Sequence, residues 1–193
     1  MRSTRAVAAI ALSLSVAAVA PAVAHGADWV GLGDSYAAGP LIPNQSLSPL
    51  GCLRSDKNFA RLAAASTGRS LSDVSCSGAK TDNMLGSQST SAGTNPPQFN
   101  ALSSTTKVVT LQISGNDIGF TEIIQNCATA NPFGHPCQDR YVKNGVDELR
   151  GRITAVAPKV AAVIQGIRAR TSAATKILVV NYAAIFPSSE LQP

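Results

Sequence analysis

Short apolar runs alternate along the chain with amphipathic stretches. Residues 28–33 are almost wholly apolar and end in Gly33-Asp34-Ser35, with small residues after them. That pattern predicts a buried strand, a tight turn and the first turn of a helix. Residues 71–76 predict a second strand. Residues 107–113 alternate and are β-branched, so they predict a third. Residues 176–180 predict a fourth, running on towards Phe186-Pro187. Between the strands, residues 56–65 predict a helix with Phe59, Leu62 and Ala63 on one face, and residues 121–127 a short one. Residues 146–168 carry Leu149, Ile153, Val156, Val160, Ile164 and Ile167 at helical spacing. Pro158 is expected to kink that helix or split it in two. Residues 36–51 are rich in Gly, Pro and Ser and predict a long loop or irregular helix; residues 86–98 predict a loop. Alternating strands and helices argue for an α/β domain: an open parallel sheet with helices on both faces.

The N-terminus stands apart. Arg2 and Arg5 precede an uncharged apolar run over residues 6–20, then Pro21 and Ala22-Val23-Ala24. This reads as a signal peptide over residues 1–24, cleaved after Ala24, against the alternative of a membrane anchor, for which the run is short. No twin arginine is present, which favours the general secretion route. No other stretch is long and apolar enough to cross a bilayer. Residues 25–193 have the length of one domain. With 45% apolar and 14% charged residues, burying a core is not a difficulty. Removing Arg2 and Arg5 from the formal +5 leaves +3, scattered and without interleaved aromatics. That gives a nucleic-acid surface no support beyond mild charge.

Cys52, Cys76, Cys127 and Cys137 are an even set, expected to oxidise in an exported chain. Cys127 and Cys137 bracket one loop containing Asn131-Pro132 and Gly134, which pairs them with each other and leaves Cys52 with Cys76. A zinc site is the weaker reading. No Cys-x-x-Cys exists, and His135 beside Cys137 lacks further ligands at metal spacing. No metal and no cofactor is expected.

Candidate chemistry falls just beyond the strands: Ser35 after the first, Ser77-Gly78-Ala79 after the second, Ser114-Gly115-Asn116-Asp117 after the third. In an open parallel sheet, ligands bind beyond the carboxyl ends of the strands, where strand order reverses. With a flavodoxin-like order, the second and third strands flank the first, and Gly78 and Asn116 lie beside Ser35. Ser35 would then be a nucleophile. Its own N–H, the Gly78 N–H and the Asn116 side-chain amide would be three donors around one oxyanion. Each residue also has a plainer role: Asp34 or Ser35 as a helix cap, Gly78 as a turn glycine, Asn116 as a turn residue or a cap shared with Asp117. Gly-x-Ser-x-Gly is absent, so the α/β-hydrolase elbow is not the model.

Three blocks together resemble the GDSL or SGNH hydrolase superfamily, most closely its secreted bacterial lipase and esterase branch. They are Gly33-Asp34-Ser35 followed by Tyr36-Ala37-Ala38-Gly39; Cys76-Ser77-Gly78-Ala79; and Gly115-Asn116-Asp117-Ile118-Gly119-Phe120. The resemblance runs from about Trp29 to Phe186. It implies Ser35 as nucleophile, the Ser35 and Gly78 amides and Asn116 as the oxyanion hole, and a three-layer α/β/α fold. The disulfide pairing matches that branch's habit of bridging neighbouring cysteines.

The family's fourth element, an Asp-x-x-His near the C-terminus, has no match. The two histidines are His25, at the expected cleavage site, and His135, with Pro132 three positions earlier. The chain is therefore expected to lack a C-terminal piece holding a fifth strand and the catalytic His, to expose its last strand as a sheet edge, and to be nearly inactive alone. The whole is expected to be a secreted, monomeric carboxylic ester hydrolase acting through an acyl-enzyme on a small-molecule or lipid ester. The alternatives are a carbohydrate acetyl esterase, a phospholipase, or a non-catalytic binding domain of the same fold.

Overall fold

A computed structural model describes residues 26–128 and 133–183. The expected signal peptide, His25, Asn131-Pro132 and Phe186-Pro187 lie outside the described residues. In chain order the elements are β1 (Trp29–Gly33), α1 (Ser35–Ala38), α2 (Phe59–Ser66), β2 (Leu71–Asp73), β3 (Gln88–Thr90), β4 (Gly93–Asn95), β5 (Val108–Gln112), α3 (Phe120–Cys127), α4 (Pro136–Tyr141), β6 (Val142–Lys143), β7 (Val146–Asp147), α5 (Glu148–Arg168) and β8 (Lys176–Val179).

The main sheet has the order β2-β1-β5-β8, and every pair in it is parallel. The two strands expected to flank β1 do flank it. Trp29 lies opposite both Leu71 and Val108, and Val108 lies opposite Lys176. β1 and β5 are buried along their whole length, as strands covered on both faces must be. The pleat divides their side chains between two layers. Val30, Leu32, Val109 and Leu111, all fully buried, point to one face and pack with Val163 and Ile167 of α5, Met84 and Phe99. Trp29 and Val108 point to the other, against Ala64 of α2. On that face Trp29 Nε1 donates to Thr110 Oγ1 at 3.2 Å. Each aliphatic side chain so buried contributes roughly 1.5–3 kcal/mol.

The helices depart from expectation in two instructive ways. α2 starts at Phe59, because Asn58 caps it by accepting from the Arg61 N–H at 3.1 Å. It buries Ala60 and Ala64, whereas Leu62 is exposed. The helix lies close over the sheet: a Cβ placed on Gly31 would stand 3.5 Å from the Ala60 methyl. Only small side chains fit such a gap. Pro158 does not split the last helix; α5 runs unbroken from Glu148 to Arg168. Pro158 and Thr154, the residue whose carbonyl loses its bond to the proline, are both exposed. Val146 belongs to the β6–β7 hairpin and not to the helix. The predicted loop over residues 86–98 contains the β3–β4 hairpin.

Cys52 is bonded to Cys76 and Cys127 to Cys137, the expected pairs. β8 is an edge of the sheet among the described residues, with Leu178 47% and Val179 57% exposed. Among the described residues no helix is long and apolar enough to cross a membrane.

Candidate active site

The site grows from the carboxyl ends of β1, β2 and β5. β1 ends at Gly33, where the chain passes against β5: a Cβ there would sit 2.4 Å from the Gln112 carbonyl oxygen and 2.7 Å from the Ala37 methyl. No larger residue fits. Gly33 is also gripped by a fully buried glutamine from a distant turn. Its N–H donates to Gln98 Oε1 at 2.8 Å, and its carbonyl accepts from Gln98 Nε2 at 2.9 Å. The next residue, Asp34, caps α1 by accepting from the Tyr36 N–H at 3.0 Å. Ser35 is thus the first helical residue, half-buried. Among the described residues neither its N–H nor its hydroxyl has a hydrogen-bond partner.

Beyond β2 the chain is fixed by the Cys52–Cys76 bridge, by Cys76 N–H donating to the Gly33 carbonyl at 3.0 Å, and by Ser77 N–H donating to the Cys52 carbonyl at 2.9 Å. Gly78 follows with φ +81°, a conformation that favours glycine. Its N–H has no partner among the described residues. Beneath this turn Asp73 accepts from Asn58 Nδ2 at 2.7 Å and from Ser75 Oγ at 2.6 Å, with buried Arg54 3.9 Å away. Burial pushes the Arg54 guanidinium below its ordinary value, and Asp73 opposes that shift.

Beyond β5, Ser114 is held at φ +121°, a strained angle for a residue with a side chain. Asn116 then reaches across to the second turn and donates to the Ala79 carbonyl at 2.9 Å. A side-chain amide carries two N–H donors, and the second has no partner among the described residues. Asp117 locks the same pair of turns, accepting from Thr81 Oγ1 at 2.6 Å and Thr81 N–H at 3.0 Å. The Asn116–Ala79 and Asp117–Thr81 bonds thus join the third turn to the second, and the Cys76 N–H bond to the Gly33 carbonyl joins the second to the one carrying Ser35.

A residue the sequence reading missed completes this frame. Tyr182, just beyond β8, donates its hydroxyl to Asp34 Oδ2 and accepts from the Gly115 N–H at 2.8 Å. Its ring stands edge-on to Tyr36 at 5.0 Å, and Tyr36 meets Phe120 in the same manner at 5.9 Å. Burial raises the Asp34 pKa above the ordinary carboxylate value, against the opposing bond from Tyr182. Burial, then the charge of Asp34, raises the Tyr182 phenol, which keeps its proton and remains a donor. The signal was available: Tyr182 follows a strand end, as the other site residues do. Gln98 left no such mark.

An open cavity of about 250 Å³ is lined by Ser35, Tyr36, Gly39 and Pro40. Beside it Leu41 is 97% exposed. His135 is exposed at the start of α4 and makes no hydrogen bond to Ser35. Among the described residues no group of three or more His, Cys, Asp and Glu side chains could hold a metal ion.

A parallel α/β sheet with a serine at the first strand end, a glycine at the second and an asparagine at the third defines the SGNH class of hydrolases. A model of the GDSL-like lipase/acylhydrolase family matches residues 32–193, and the chain belongs to that family. It is 35% identical over 187 residues to Lipase 2 of Streptomyces coelicolor, covering 94% of this chain and 61% of that protein. It is 36% identical over 120 residues to a lipase of Streptomyces rimosus, covering 62% of this chain and 41% of the relative. Among solved structures it resembles phospholipase A1 from Streptomyces albidoflavus, with a TM-score of 0.68, 26% identity and coverage of 85% of this chain and 63% of that one. It also resembles the extracellular lipase of S. rimosus, with a TM-score of 0.65, 26% identity and coverage of 84% and 66%. The chain thus spans 61% and 41% of the length of these two curated relatives.

Proposed function

We propose that this chain carries the acyl-transfer site of a secreted serine ester hydrolase acting on lipid esters. The observation that carries the reading is the set of groups beyond three adjoining strands that have no hydrogen-bond partner among the described residues: the Ser35 hydroxyl and N–H, the Gly78 N–H and the second Asn116 amide proton. In the reaction the Ser35 oxygen attacks the ester carbonyl carbon while its proton passes to a general base. The carbonyl oxygen becomes an oxyanion held by the three donors. The bond to the alcohol then breaks, the alcohol leaves with the proton, and water releases the acid from Ser35. Residues 1–193 hold His25 and His135, and neither follows an Asp by three positions. Turnover is accordingly a proposal for the whole protein.

The choice of a lipid ester rests on the cavity beside Ser35, lined by Tyr36, Gly39 and Pro40, and on the exposed apolar Leu41 and Ile42 that follow these in the chain. The relative titled phospholipase A1 supports the same choice over an acetylated sugar. Secretion is supported by the N-terminal pattern of Arg2, Arg5 and the apolar run and by two disulfides, which persist in oxidising compartments.

The test is labelling of the full-length protein by a fluorophosphonate, with turnover of p-nitrophenyl esters of graded acyl length. Labelling is expected at Ser35 and lost in Ser35→Ala, with longer acyl esters preferred to acetylated sugars. No labelling and no turnover would favour the non-catalytic binding domain. Labelling that survives Ser35→Ala would remove the assignment.

A further inference from the structure

The backbone joins the turn of Ser35 to the end of β5, where the Asp34 N–H donates to the Gln112 carbonyl at 3.0 Å, and the second turn links the turns of Ser35 and Asn116 indirectly. One side chain joins them directly. The Tyr182 hydroxyl lies between Asp34 Oδ2, to which it donates, and the Gly115 N–H, from which it accepts at 2.8 Å. Asp34 immediately precedes Ser35, and Gly115 immediately precedes Asn116. Asp34 Oδ1 also holds the Tyr36 N–H at 3.0 Å, so the carboxylate is anchored on the far side of Ser35 as well. We infer that Tyr182 is a positioning residue for the oxyanion hole: its hydroxyl sets the separation between the nucleophile turn and the turn that presents Asn116.

Three further observations fit a role in spacing rather than general packing. The backbone beyond β5 is strained at Ser114, φ +121°, and that strain accompanies a Gly115 N–H aimed at the phenol and not back along the sheet. Gly115 leaves room for the ring: a Cβ there would meet Tyr182 Oη at 3.2 Å and Cζ at 3.3 Å. The ring itself is fixed edge-on to Tyr36 at 5.0 Å, so the hydroxyl has little freedom of position. A phenol with one donor and one acceptor function, used once each, is a rigid spacer between a carboxylate and an amide. Catalysis by preorganised donors depends steeply on such spacing, and displacement of a group by about 1 Å can cost on the order of a hundredfold in rate.

The inference rests on the proposed role of Ser35 and is tested so that the two fail differently. In the full-length protein, Tyr182→Phe keeps the ring and removes the hydroxyl. It is expected to lower kcat on p-nitrophenyl butyrate by about ten- to a hundredfold with KM within about twofold, because the donors act on the transition state. In an Asn116→Ala background the same change is expected to cost less than about threefold, since the donor it positions is already gone. Gly115→Ala presses on the phenol from the other side and should reproduce the kcat loss, which keeps the test open if Tyr182→Phe folds poorly. An unchanged kcat in both variants, or an equal loss with and without Asn116, would overturn the inference. Wild-type protein that a fluorophosphonate does not label at Ser35 would instead overturn the reading beneath it.

Discussion

Gln98 is the side chain on which the shape of the first turn depends most. It is fully buried and closes two hydrogen bonds on Gly33, two residues before Ser35. Replacing it by leucine nearly conserves volume and removes both. The Gly33 carbonyl keeps its bond from Cys76 N–H at 3.0 Å, but the Gly33 N–H is left with nothing. A buried donor without a partner costs about 1–3 kcal/mol. For a domain of this size, about 2–4 °C of Tm is lost per kcal/mol, so Gln98→Leu should lower Tm by roughly 2–12 °C. Gln98→Ala should lower it further, because a cavity is added to the lost bonds. Thermal unfolding followed by circular dichroism at fixed pH measures both. The rate of Ser35 labelling by a fluorophosphonate should fall with them, since the clamp holds the strand end that carries the serine. A Gln98→Leu protein with unchanged Tm and unchanged labelling would refute the reasoning, because the Gly33 N–H would then have found another partner.

Three other outcomes are expected. Asn116→Ala should lower kcat by about 10²–10³ with KM little changed, read from ester kinetics, as loss of one oxyanion donor does. Replacing Cys52 and Cys76 together by alanine should destabilise the fold by about 3.4 kcal/mol and the Cys127, Cys137 pair by about 2.7 kcal/mol, from closed spans of 24 and 10 residues, measured by urea unfolding. The Asp34 pKa is raised on folding, so this carboxyl contributes stability that is full below its unfolded pKa and is lost as pH rises through the folded one. Stability measured from about pH 3 to pH 7 should therefore fall with rising pH in the wild type relative to Asp34→Asn.

β1 was legible because a strand buried on both faces reads as a nearly unbroken apolar run, and β5 because it alternates and is β-branched. The turns after them were legible because Gly33, Gly78 and Asn116 are residue types with few uses at a strand end. The α2 face misled for a definable reason: periodicity selects the largest apolar residues, Phe59 and Leu62, whereas the close approach over Gly31 selects the smallest, Ala60 and Ala64. Of the two outcomes expected at Pro158, the split is absent, since α5 runs through the proline. Gln98 was illegible because its partner lies 65 positions away and nothing local distinguishes a glutamine that will meet one, whereas Tyr182, 148 positions from Asp34, carried only its place after a strand end.

The register of the sheet has a consequence for how the site fails. Val30, Leu32, Val109 and Leu111 share one face, and Trp29 and Val108 the other. A slip of one residue between β1 and β5 would exchange the faces, so the smallest slip that preserves them is two residues, about 6.6 Å. No arrangement of the two strands lies between the correct one and one displaced by that distance. The register is thus set in whole steps, and the side-chain bonds beyond the strand ends make the finer adjustment around Ser35. A variant that slips the register should therefore reduce the number of competent molecules in a preparation, so active-site titration is needed beside bulk activity to measure it.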